Sequence, residues 1–234
     1  MNKPILAIDF GGTLISNKAA DMAHYEWFKI MSIMLNDPKI KKLAGTENYF
    51  DDVIKVMERY TGLKAKDKED QEVLGRWARS LFSFMSIGAS KKLGKSILYQ
   101  DFADYLKELK KRFELALITT QPQDSVKPML AAVGCDNLFD YVYESSFYEK
   151  PDKYTVLKRF ISENGKPLLY IGNSKNDVDS CEKAGVPVII TTWDKESLPV
   201  GYRKKAECVP FVNNIKELKK ILGDDGELIK VNSR

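Results

Sequence analysis

Histidine is almost absent from this chain: His24 stands alone. It falls in a helix-patterned stretch and reads as a core-edge or solvated residue rather than a base. Cysteine is scarce and scattered. Cys135, Cys181 and Cys208 form no pair with metal-ligand spacing, and an odd count gives no disulfide framework, so a reducing cytoplasmic setting is expected. No apolar stretch is long enough to span a bilayer. Met1-Asn2-Lys3-Pro4 leads straight into a strand without a leader pattern. No internal repeat is present. A large excess of one charge is also missing: 37 Lys+Arg against 33 Asp+Glu leaves +4 over 234 residues. That gives no argument for a nucleic-acid partner and suits a small anionic substrate or a lysine-rich surface. What is present, 44% hydrophobic and 30% charged residues, is the composition of a globular chain with a substantial core.

The first strand is expected at residues 4–9. From about Asn17 to Leu98, apolar residues recur at helical spacing, as in Met22, Tyr25, Phe28 and Met31. Further helical patterns run near 46–61 and 68–86, where Leu74, Trp77, Ala78, Leu81 and Phe82 make an apolar stripe. No strand pattern breaks this stretch, which reads as an all-helical insertion over 17–97. From Asp101, an expected helix cap, helix and strand alternate. Strand 115–119, helix 124–133 closed by Gly134, a short strand near 141–143 and helix 152–163 come first. Strand 168–171, helix 176–184 closed by Gly185, strand 186–190, a weak strand at 207–211 and helix 213–222 follow, then a polar tail over 224–234. This alternation predicts an α/β fold, a doubly wound parallel sheet with helices on both faces, built from residues 1–16 and 98–234.

Four chemistry-bearing sites fall at or just after the carboxyl ends of these strands, where open α/β sheets gather their ligands. They are Asp9, Thr119-Thr120, Lys150 before Pro151-Asp152, and Gly172-Asn173-Ser174-Lys175-Asn176-Asp177. A carboxylate able to attack, a hydroxyl donor, an ammonium and a second carboxylate suit attack on an anionic phosphoryl group. Asp9 is the nucleophile in this reading. Thr119, expected as the last strand residue, and Lys150 meet the developing charge; Thr120, and Gly12 and Thr13 on the turn after Asp9, complete the phosphate cradle. Asp177 also suits the first turn of a helix, where the dipole favours an acid.

The four segments resemble the motifs of the haloacid dehalogenase (HAD) superfamily of aspartate-nucleophile hydrolases. Asp9-Phe10-Gly11-Gly12-Thr13 is similar to its first motif, D-x-D-G-T, and Leu117-Ile118-Thr119-Thr120 to its second. Lys150-Pro151-Asp152 resembles the third, and Gly172 to Asp177, with Ala184-Gly185 beyond, the fourth. The insertion at 17–97 is placed like the helical cap that in this family closes over the sheet edge and selects the substrate. The resemblance implies a phosphatase acting on a small phosphorylated molecule through an aspartyl-phosphate. It also implies a Mg²⁺ ion held by Asp9, the carbonyl of Gly11, the side chain at Asn173, and Asp177.

Two departures stand out. The family's general acid/base aspartate falls on Gly11, and the first acid of its fourth motif falls on Asn173. Asn173 removes a charge that Mg²⁺ prefers, so a weakened metal site is expected. A positioned general acid is worth roughly 10²–10⁴-fold in rate, so its loss favours leaving groups that need no proton, such as those of aryl or acyl phosphates. Two alternatives share the same fold: a binder of phosphorylated ligands or of a protein without turnover, and a metal-independent dehalogenase-like hydrolase. The run Asp9 to Thr13 also resembles the phosphate loop of actin-like sugar kinases. That loop opens a β-hairpin, whereas residues 17–21 here enter a helix. Trp27, Trp77 and Trp193 are expected in packing roles.

Overall fold

Residues 3–44, 49–147, 152–193 and 209–223 are described by the computed structural model. The first strand, β1 (Ile5–Ile8), sends Leu6 and Ile8 into one apolar layer and Ala7 into the other, the period-two alternation of a strand covered on both faces. It is joined by β2 (Glu114–Pro122), β3 (Tyr141–Ser145), β4 (Leu169–Gly172), β5 (Val188–Thr191) and β6 (Phe211–Val212) in one parallel sheet of order β3-β2-β1-β4-β5-β6. Successive strands step outward from β1 on one side and from β4 on the other. The order therefore reverses between β1 and β4, the crevice where such sheets hold ligands.

The covering helices are α4 (Gln100–Leu109), α5 (Val126–Val133), α6 (Lys153–Asn164), α7 (Lys175–Ala184) and α8 (Ile215–Leu222). The layer on one face gathers Leu6, Ile8, Phe102, Leu117, Ile171 and Leu218; the layer on the other gathers Ala7, Ile118, Phe160, Tyr170 and Cys181. Gly134 and Gly185 end α5 and α7 in the left-handed region, at φ 76° and 62°, as their positions in the sequence suggest. Three expectations need correction. Asp101 does not cap α4; Tyr99 holds that place without a side-chain bond, and Asp101 sits in the first turn. β2 does not end at Thr119 but runs on to Pro122, through an irregularity between Ile118 and Pro122 that adds residues to its edge. Strand 186–190 begins only at Val188. The polar tail and residues 207–208 lie outside the described residues.

Between β1 and α4 the chain forms α1 (Lys18–Met34), α2 (Tyr49–Thr61) and α3 (Lys68–Leu93). They share a separate apolar cluster that includes Trp27, Phe28, Met31, Met57, Leu74 and Ala78. Trp77, part of the expected stripe, is 56% exposed instead. The two ends of this helical stretch meet beside the exit of β1: Ile15 bridges Leu98, and the Tyr99 N–H donates to the Leu14 carbonyl at 3.0 Å.

Candidate active site

Asp9 follows β1 directly and is fixed there by its own N–H, which donates to the Ile171 carbonyl of β4 at 2.9 Å. It is 5% exposed. The turn beyond it closes on itself. The N–H groups of Leu14 and Ile15 donate to the Phe10 carbonyl at 2.9 and 3.1 Å, that of Thr13 reaches the same oxygen at 3.4 Å, and that of Gly12 donates to the Ile15 carbonyl at 2.6 Å. The expected backbone cradle at Gly12 and Thr13 is thus already used within the turn. The Thr13 hydroxyl is fully buried and has no hydrogen-bond partner among the described residues. It is a polar atom of this turn left without a partner there.

The two positions that lack an acid are packed rather than empty. A Cβ on Gly11 would lie 2.9 Å from Asn17 Oδ1. Gly12, at φ 77°, needs glycine twice over: a Cβ there would lie 1.8 Å from Asn173 Nδ2. Asn173 therefore lays its amide against Gly12, one residue beyond the departure at Gly11.

Beyond β4, Asp177 is the third helical residue of α7 and completes a capping box with Ser174. Its Oδ2 accepts from the N–H of Asn173 (3.1 Å), the N–H of Ser174 (2.9 Å) and the Ser174 hydroxyl (2.6 Å). Its carboxyl group folds back over Gly172, where a Cβ would lie 2.6 Å from Asp177 Cγ. On the other side, Thr119 is 3% exposed, and its hydroxyl oxygen accepts the Gln121 N–H at 3.2 Å, leaving its own proton to donate. Thr120 is half-buried beside it.

Lys150 lies outside the described residues. Among the described residues, the ammonium that meets the carboxylates belongs to Lys153, the first residue of α6, which sequence reasoning missed. Lys153 is 6% exposed. Its Nζ donates to Asp9 Oδ1, and to Asp177 Oδ1 and the Tyr170 hydroxyl at 3.1 Å each and the Ile118 carbonyl at 3.2 Å. One signal was available in the sequence: Asp152 is a good N-cap, and a lysine directly after it opposes the helix dipole unless something acidic holds it.

The electrostatics follow from this geometry. Burial pushes the Asp9 carboxyl up, to about 6, against the pull of Lys153. Burial also penalises Asp177, but Lys153 and the Ser174 donors outweigh it and hold that carboxyl below the usual range. The Lys153 ammonium, although desolvated, is held above its ordinary value by Asp177 and Asp9. Burial raises the Tyr170 phenol well above its normal value, so it stays neutral.

This donor set fits Mg²⁺ poorly. The ion takes about six hard oxygens at about 2.1 Å and favours charged ones. Asp177 Oδ2 already has three donors, Asp177 Oδ1 and Asp9 Oδ1 face Lys153, and Asn173 is neutral. No cluster of three His, Cys, Asp or Glu residues able to hold a metal occurs among the described residues.

Comparison with known proteins gives a consistent relationship. Residues 8–191 match the family described as haloacid dehalogenase-like hydrolase. A phosphoglycolate phosphatase from Haemophilus influenzae is 34% identical over 104 residues, 42% of this chain and 46% of that protein. The chain spans about half the length of the curated relatives it matches. Among solved structures, a predicted phosphatase from Clostridium acetobutylicum superposes with a TM-score of 0.65 at 22% identity, covering 95% of this chain and 99% of that one. A HAD-hydrolase from Bacillus subtilis, solved bound to magnesium, gives 0.53 at 17% identity, covering 95% and 99%. At these identities the structural likeness speaks for the fold.

Proposed function

The chain belongs to the haloacid dehalogenase-like hydrolase family, and from that premise we propose that it is a phosphatase acting on a small phosphorylated molecule. The observation that carries the reading is a buried aspartate at the switch point of the sheet, paired with a buried lysine. Asp9 attacks phosphorus through its carboxylate, the leaving group departs with the bonding electrons, and water then hydrolyses the aspartyl-phosphate. Lys153 and the hydroxyls of Thr119 and Thr13 steady the negative charge that develops on the phosphoryl oxygens. The helical stretch 17–97 acts as the cap that selects the substrate. The phosphoglycolate phosphatases it resembles make phosphoglycolate the alkyl phosphate to set against aryl and acyl ones.

Mg²⁺ is general in this family, and Asp9, Gly11, Asn173 and Asp177 are the residues that would meet it. Gly11 supplies no proton to the leaving group, so aryl and acyl phosphates are the preferred substrates. A panel of phosphorylated compounds, assayed with wild type and Asp9→Asn, tests the proposal. Turnover that Asp9→Asn abolishes, with aryl phosphates ahead of alkyl ones, is expected. Equal rates for the two classes would refute the role given to Gly11. Ligand binding without turnover would favour the second reading, a non-catalytic phospho-ligand binder, for which the loss of acids at Gly11 and Asn173 is the supporting observation.

A further inference from the structure

We infer that Lys153 is the resident cation of this site, holding the place between Asp9 and Asp177 that a divalent metal would need and making the site metal-independent. The inference deepens the reading above but concerns the cation alone. Lys153 is not the lysine that the third motif indicates in the sequence; it reaches the site because α6 starts under the sheet edge and its four-carbon stem runs in beside Tyr170.

An ammonium has three protons to donate. Those of Lys153 are shared among two carboxylate oxygens, a backbone carbonyl and the Tyr170 hydroxyl, all buried. Tyr170 in turn lies within donating distance of the Ile118 carbonyl (3.1 Å) and Asp177 Oδ1 (3.2 Å), so the lysine is seated in a closed polar cluster. A carboxylate offers about four lone-pair sites. Three donors on one oxygen of Asp177, with Lys153 and the Tyr170 hydroxyl on the other, occupy them. A dication would have to evict Lys153 from Asp9 and leave the ammonium buried beside two further positive charges. Residues 11 and 173, which could have supplied the balancing negative charge, are a glycine and an asparagine. Among the described residues, Asp9, Asp177 and Lys153 together leave one net negative charge, less than a dication needs for balance.

Calorimetric titration with Mg²⁺ alone tests this on the 234-residue chain, with wild type against Lys153→Met. Wild type should show no saturable heat with millimolar Mg²⁺, and its thermal midpoint should not move. Lys153→Met frees the oxygens facing it, so its affinity for Mg²⁺ should exceed that of wild type by at least about tenfold. If the variant is unfolded without metal, Mg²⁺-dependent recovery of its far-UV circular dichroism is the same result in another form. Saturable binding to wild type, or a variant that neither binds Mg²⁺ nor is refolded by it, would overturn the inference. Neither readout needs turnover. A protein inactive on every phosphate but also blind to Mg²⁺ would therefore sink the phosphatase reading and leave Lys153 as the resident cation.

Discussion

Asp9 and Asp177 are both buried and share one ammonium, yet their acidities move in opposite directions. The turns that hold them explain why. The turn after β4 turns its donors inward, so two N–H groups and a hydroxyl converge on Asp177. The turn after β1 ties its N–H groups to Phe10 and Ile15, so Asp9 relies mainly on Lys153. Asp177 is thus a satisfied structural anion, and Asp9 an under-solvated one, the better suited to the nucleophilic role proposed for it. The same sheet edge sets both, and the local hydrogen bonding separates their acidities.

Replacement of each acid by its amide separates the two most widely. Asp9→Asn should remove turnover by about 10³-fold or more, because an amide cannot attack phosphorus, while the melting temperature stays level or rises. Asp177→Asn should do the reverse in kind. It leaves the ammonium and the Ser174 donors facing an amide, at a cost of about 3–5 kcal/mol in stability, measurable by denaturant titration. Loss of stability in Asp9→Asn with none in Asp177→Asn would erase the distinction.

The next effect is at Gly12, the residue on which one turn leans against the other. Gly12→Ala places a Cβ at positive φ and against the Asn173 amide. It should cost roughly 1–3 kcal/mol as overpacking and strain. The double variant Gly12→Ala, Asn173→Gly should recover part of that loss; full additivity in a double-mutant cycle would show that the two turns are independent.

Much of this arrangement was legible in the sequence, and the exceptions have physical reasons. Asp9 could be placed because an apolar run ending in a polar residue names a strand end, and Thr119 and Asp177 because they lie on or just after neighbouring parallel strands, whose carboxyl ends must converge. Gly134 and Gly185 were legible as helix stops because left-handed backbone selects glycine. Lys153 was not legible, because the pattern around Pro151 draws attention to Lys150, which lies outside the described residues, and nothing in the sequence shows that the first residue of α6 faces Asp9. The internal bonding of the Gly12 turn was hidden for a related reason: a glycine-rich turn shows that N–H groups are available, but not which way they point. Trp77 was misplaced because the stripe around it is wide, and only its Leu74 and Ala78 side is covered.

Acidification should pull the two carboxylates apart in pH. Asp9 protonates near pH 6 in the native state, above its unfolded value, so the native fold gains rather than loses relative stability there. Turnover should nevertheless fall about tenfold per pH unit below that point, because the nucleophile is neutralised. The stability given by Asp177 is present above its unfolded value and is lost only as pH falls through its depressed native value. Activity and fold should therefore disappear in separate windows, activity first, when kcat/KM and circular dichroism are followed across the same buffers. A single coincident transition would mean that the two acids titrate as one.

The smallest expected effect tests how the reactive turn is held from outside. Trp193, beyond the end of β5, donates its indole N–H to the Thr13 carbonyl at 3.0 Å and packs against Phe102 with ring centroids 5.0 Å apart. Its position thus combines packing with a hydrogen bond to the turn that orients Thr13. Trp193→Phe keeps most of the ring contact and deletes the bond, which should cost about 1 kcal/mol in stability. If the bond aligns the Thr13 hydroxyl with the phosphoryl group, KM should rise a few-fold while kcat is nearly unchanged. An equal fall in kcat with KM constant would place the effect on Asp9 itself. A change in neither would show that the self-bonded turn after β1 needs no support from β5.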